Sequence, residues 1–210
     1  MRLEIEQNTE EWFAARSGKF TGSPAGLFIV KGKGAGNLGA GLLTRIDEIV
    51  TERLTIPDTG EYIDPRQWGH DYEQEALDVY EDTVGFVRVA PGGFHTTGEY
   101  TGCSPDGEID NSKGIAEVKC PANSVNHYIT ISTGEVPKKH LPQIVWNMRE
   151  SGTGYCDFIS YDPRFILPEH RIFIKRVYLK DHRDIEEVFD KKTKIAIELV
   201  EEKLKLMEVK

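Results

Sequence analysis

Residues 102–121 read GCSPDGEIDNSKGIAEVKCP, and the layout of this stretch decides the fold. Asp106 follows a Ser-Pro pair, Glu117 stands beyond a ten-residue interval, and Lys119 comes two residues after Glu117. Side chains of an extended strand alternate between faces, so within IAEVK the residues Glu117 and Lys119 point one way while Val118 and Cys120 point the other. A carboxylate and an ammonium are thereby held side by side. Two carboxylates converging on one place repel and raise each other's pKa unless a cation neutralises them. Oxygen-only ligands suit Mg²⁺, which keeps several waters and shares its coordination with substrate phosphates, so the Asp106 and Glu117 pair implies a metal. A lysine on the same face can hold or help deprotonate a water attacking phosphorus, and its own pKa can fall if it is desolvated there.

The triplet EVK alone is common on exposed hairpins. Placed ten residues after SPDG, it forms the PD-(D/E)XK nuclease pattern, standing here as Pro105-Asp106 and Glu117-Val118-Lys119. Around it the chain punctuates itself. Asn8 or Thr9 caps a helix through Arg16 that Gly18 closes. A short helix near Pro24 to Ile29 leads into the glycine-rich KGKGAGNLGAG, and a helix follows from Leu42 to Leu54. A loop holds Pro57, Gly60 and Pro65. The segment from Pro65 to Gly85 reads as a helix with Tyr72, Ala76, Val79 and Tyr80 on one face. Beyond it come a hairpin around Pro91-Gly92-Gly93, strands at Tyr100–Ile109 and Gly114–Cys120, and helices at Ser124–Ser132 and Lys139–Glu150. Strands at Tyr155–Tyr161 and Arg171–Tyr178 precede a long amphipathic helix from Asp181 to Met207, expected to pack on the sheet or on a neighbouring subunit. This order predicts an α/β fold with a central mixed sheet flanked by helices, one domain across residues 1–210.

A 210-residue chain, 39% hydrophobic and 29% charged, suffices for one such core. It shows neither a leader nor an apolar run near the ~18 residues that span a bilayer, so the expected location is the cytoplasm. Three cysteines without CxxC spacing argue against a disulfide framework or structural zinc, and the six histidines form no HExxH pair. The net charge of −9 argues against coating of nucleic acid by bulk electrostatics, though not against an enzyme with a local basic groove. Gly34-Ala35-Gly36-Asn37-Leu38-Gly39 matches GxGxxG literally. That fingerprint binds dinucleotides only between a strand and a helix of a βαβ unit, a setting the flanking residues do not offer, and the surface-loop reading stands.

The chain resembles the lambda exonuclease and YqaJ-type viral recombinase nucleases. Trp12, Arg16-Ser17-Gly18, Thr21 and Ser23 match the family's N-terminal motif; Gly69 to Glu73 its helical acid; Gly102 to Gly107 and Glu117 to Pro121 its core; Gln143 its helical glutamine. The resemblance implies a restriction-endonuclease-like core in which Asp106, Glu117, Glu73 and the backbone carbonyl of Val118 bind Mg²⁺, with Mn²⁺ as a substitute, while Lys119 orients or activates water. It also implies that Arg16, Ser23, Ser104 and Gln143 read a 5′-phosphate. Thr21 is expected as a turn residue and Trp12 as core. The implied activity is 5′-to-3′ digestion of duplex DNA ends to 5′-mononucleotides, leaving a 3′ single strand for an annealing partner, by a ring-shaped homotrimer. The alternatives are an endonuclease of the same fold and a DNA-end-binding protein without catalysis.

Overall fold

The computed structural model describes residues 2–33, 35–54, 67–85, 87–111, 113–122 and 124–208, so the expected loop around Pro57, Gly60 and Pro65 lies outside them. Strand β1 (Arg2–Leu3) precedes α1 (Glu10–Arg16), whose N-cap Thr9 accepts from the Trp12 N–H at 3.3 Å. After a 3-10 turn at Ala25–Phe28, the glycine-rich loop is pinched by a single bridge between Lys31 and Leu38 and holds another such turn at Ala35–Asn37. It leads straight into α2 (Ala40–Leu54), with no βαβ unit around it among the described residues. Helix α3 (Gln67–Val84) ends at Gly85, which takes the left-handed φ of +64°.

Strands β2 (Val89–Pro91), β3 (Phe94–Thr96), β4 (Gly102–Cys103), β5 (Gly107–Ile109) and β6 (Gly114–Lys119) follow. Helices α4 (Ser124–Thr133) and α5 (Leu141–Ser151) then carry the chain over to β7 (Tyr155–Tyr161), and β8 (Ile172–Tyr178) leads to α6 (Arg183–Glu208). The larger sheet has the order β2-β5-β6-β7-β8, and the smaller β1-β3-β4. Only β6 and β7 pair in parallel, as the intervening two-helix crossover requires. The structure thus has the expected mixed sheet flanked by helices.

Alternation along the strands divides the core. Ile115, Cys156, Phe158 and Val177 face a cluster with Trp146 of α5, Phe28, and Phe189 of α6. Ala116, Val118, Ile159 and Tyr161 face Ala76, Leu77 and Tyr80 of α3. Trp146 stacks on Phe28 with ring centroids 5.2 Å apart, and burial of each such side chain contributes about 1.5–3 kcal/mol. Cys103, Cys120 and Cys156 are free and buried.

Two expectations need correction. No hairpin forms at Pro91-Gly92-Gly93: β2 pairs with β5, and β3 pairs with β1 and β4. The cause is close packing, because a Cβ on Gly92 would lie 1.9 Å from the Pro105 carbonyl oxygen, and the chain bends there from one sheet to the other. The strand expected over Tyr100–Ile109 is likewise two strands in two sheets, broken at Ser104-Pro105-Asp106, where proline lacks a ladder donor. Helix α6 packs chiefly on α2, α5 and the Ala25–Phe28 turn, and its Phe189 joins the core cluster that holds Phe158 and Val177 of the sheet. Among the described residues no helix is long and apolar enough to cross a membrane.

Candidate active site

The break between β4 and β5 places Asp106 against the middle of β6. Its N–H donates to the Ala116 carbonyl at 3.2 Å, and its Oδ2 accepts the Val118 N–H at 2.6 Å. Asp106 therefore grips β6 on either side of Glu117, and the ten-residue interval is the β5–β6 hairpin that brings the two carboxylates together. Glu117 is fully buried. Lys119 Nζ donates to Glu117 Oε1, and Asn147 Nδ2, from α5, donates to Glu117 Oε2 at 3.0 Å. Val118 enters through its N–H, as the clamp on Asp106.

Charge is concentrated here. Burial, then Glu117, then Glu73 push the Asp106 carboxyl well above the ordinary carboxylate range. Burial also raises Glu73, which stands on α3 one turn before the buried Leu77; His70 and Lys119 oppose that rise, and Glu117 adds to it. Burial alone would lower Lys119, but Glu117 and Asp106 outweigh it, so the ammonium is raised rather than lowered as the sequence suggested. Among the described residues, no three His, Cys, Asp or Glu side chains form a group that could hold a metal by themselves. The donor set still fits Mg²⁺, which takes one or two carboxylates and keeps waters elsewhere, and an Asp106 carboxyl raised by its acidic neighbours is what an added cation relieves.

Two residues before Asp106, Ser104 Oγ accepts from Arg16 Nη1 at 2.9 Å and from Trp12 Nε1 at 3.0 Å. Arg16 Nη2 donates to Thr21 Oγ1 at 3.3 Å, and its guanidinium carbon lies 4.2 Å from the centre of the Trp12 ring. Among the described residues Arg16 forms an ion pair with no carboxylate, and burial, with Arg45 adding, lowers it to about 10 against the pull of Cys103 and Asp106. Thr21 is therefore a partner of Arg16 rather than a turn residue, and Trp12 is half-exposed and part of this nest rather than core.

Ser23 is exposed, and Gln143 is half-buried on the first turn of α5; neither makes a hydrogen bond among the described residues. Asn147 escaped the sequence reading although it stands one turn after Gln143, on the same face of α5. Gly22 packs so tightly on Asn147 that a Cβ there would lie 1.9 Å from Asn147 Oδ1. A cleft of about 650 Å³ opens beside the site, lined by Glu73, Asp106 and the segment Glu4–Asn8; Gln7 Nε2 donates to the Pro105 carbonyl at 2.7 Å and holds that segment down.

The YqaJ-like viral recombinase domain matches residues 11–154. A comparison with curated proteins gave no match. Two solved structures of LHK-Exo, an alkaline exonuclease from Laribacter hongkongensis, one in complex with dAMP, are similar at 30% identity over 95% of this chain and 96% of theirs, with TM-scores of 0.79 and 0.78. A phage-related exonuclease from Haemophilus somnus 129PT shares the fold at 16% identity, covering 90% of this chain and 96% of its own, with a TM-score of 0.70.

Proposed function

The chain belongs to the YqaJ-like viral recombinase family, and on that footing we propose that it is a Mg²⁺-dependent exonuclease that digests one strand of duplex DNA from its 5′ end. The observation that carries the reading is the Arg16, Ser104, Thr21 nest two residues from Asp106: a partly buried guanidinium without a carboxylate partner among the described residues, beside a cluster of acids. A cation so placed suits a terminal phosphate, which an internal stretch of DNA does not present with its two charges.

In this reading Arg16 forks onto the terminal phosphate while Ser104 and Thr21 add neutral hydrogen bonds. Asp106 and Glu117, with Glu73 alongside, would hold Mg²⁺, for which Mn²⁺ can substitute; the ion, when bound, supplies Lewis acidity and a more acidic water. Lys119 steers the attacking water and balances the acids around it. Asn147 fixes the carboxylate plane of Glu117. Water adds to phosphorus, the P–O3′ bond breaks in line, and the 3′-oxygen leaves with a 5′-mononucleotide. The strand left behind is a 3′ overhang, the substrate of a strand-annealing partner, and a homotrimeric ring would keep the enzyme on its track.

The test is to incubate the protein with linear duplexes, with and without 5′-phosphate, and with a covalently closed circle, in Mg²⁺ and in EDTA. The expected result is release of mononucleotides from phosphorylated ends in Mg²⁺ alone. Prompt cutting of the closed circle would falsify the exonuclease reading in favour of an endonuclease, and hydrolysis of nothing would favour an end-binding protein.

A further inference from the structure

If the terminal phosphate sits in the Arg16 nest and the next phosphate is attacked at Asp106, Glu117 and Lys119, the undigested strand must leave past these residues. Two depressions share a residue with the site. The cleft beside Asp106 and Glu73 is also lined by Glu4, Glu6 and Glu81, with no lysine or arginine among the described residues that line it. A phosphodiester backbone entering it would meet like charges at close range.

The other depression is a groove of about 500 Å³ where β6 and β7 end against α4 and the start of α5. Lys119 and Lys139 line it, and no Asp or Glu does among the described residues. In a chain of net charge −9, such a sector is a distinct feature. Its wall is apolar: Phe158 carries the His140 ring in a stack with centroids 5.7 Å apart, and Ile129 of α4 is 49% exposed there. Thr130 and Ser160 spend their hydroxyls inside the protein, on the Asn126 carbonyl and on His127. The Asn126 side chain makes no hydrogen bond among the described residues, and Lys139 is exposed. Cations for a phosphate, flat apolar walls for a sugar and base, and an uncommitted amide are the parts of a nucleotide subsite.

We propose that this groove receives the nucleotide on the 3′ side of the scissile bond, the one that becomes the next 5′ end. The inference rests on the exonuclease reading above and adds the path of the strand. Duplexes with a 5′-phosphate and 4-thiothymidine at the first or second nucleotide, bound in Ca²⁺ and irradiated, test the placement directly. The second position is expected to cross-link within residues 126–140; cross-links instead to residues 4–8 or 89–93, or none in 126–140, overturn it. In steady state, Lys139→Glu should raise KM for phosphorylated duplex about tenfold, move kcat far less, and flatten the slope of log affinity against log salt by about one. Lys205→Glu, the same charge change on the exposed end of α6, should do none of this. A wild-type protein that hydrolyses no DNA end defeats the exonuclease reading and this inference with it. An active wild type with Lys139→Glu indistinguishable from Lys205→Glu defeats the groove alone.

Discussion

Asp106 is held at a cost. Its folded pKa is raised, so the stability it contributes is fully present below its unfolded value near 3.8 and is lost as pH rises through the folded one. Above that folded value the ionised carboxylate opposes folding. Asp106→Asn keeps an oxygen for the Val118 N–H and removes that charge, so its Tm should rise, by about 2–4 °C for each kcal/mol relieved, while turnover falls on the order of 10³-fold or more. Added Mg²⁺ should raise the Tm of the wild type and leave the variant unmoved; equal shifts in both would remove Asp106 from the metal site. Arg16→Ala should raise KM about 10- to 100-fold for 5′-phosphorylated ends, the worth of a charge-assisted bond, and leave hydroxyl ends unaffected; a surviving preference for phosphate shows the assignment to be wrong. Asn147→Leu strands a buried oxygen of Glu117 and should cost about 1.5–3 kcal/mol in urea unfolding, with kcat reduced. Asp106, Glu117 and Lys119 were legible in sequence because strand alternation and one hairpin bring them together. Asn147, Trp12 and Thr21 were not, because their partners lie 30, 92 and 5 residues away, and periodicity carries no signal about which distant atom a side chain meets.

Among the elements, helices were read closely because capping and stop residues are local: Thr9 caps α1, Gly85 ends α3, and Gly152 ends α5 at a φ of +74°. Strand partners were misread where the sequence offers a turn signal and the packing overrules it. Pro91-Gly92-Gly93 has hairpin chemistry, but Gly92 is spent on contact with Pro105, and β2 and β3 part company. The start of α5 carries a pH dependence. Burial, then Lys119 and Lys139, lower His140 to about 4, so its share of stability is present above about 6.5, the unfolded value, and is lost as pH falls through about 4. Denaturant midpoints measured at pH 7, 5.5 and 4.5 should therefore drop more steeply in the wild type than in His140→Gln, and parallel slopes would show His140 to be free of the effect.

For the whole molecule, composition foretold a soluble-type core and an acidic surface, and it gave no hint of how charge is sorted. The fold lines one depression beside the candidate site with acids and another with lysines, a separation made by which loops meet, hence invisible in a net charge. If three copies form a ring, light scattering should give a particle of three times the 23.7 kDa chain mass, and dilution below the point where it dissociates should shorten the run of nucleotides removed per binding event. The contact of Gly22 with Asn147 bears on how the Arg16 nest and Glu117 are tied together. Gly22 adjoins Thr21 of the nest, and Asn147 holds Glu117, so the bare α-carbon and the amide connect the surroundings of Arg16 to the buried carboxylate. A side chain at position 22 would meet the Asn147 amide and loosen its hold on Glu117, so one bare α-carbon keeps the two ends of this relay in register.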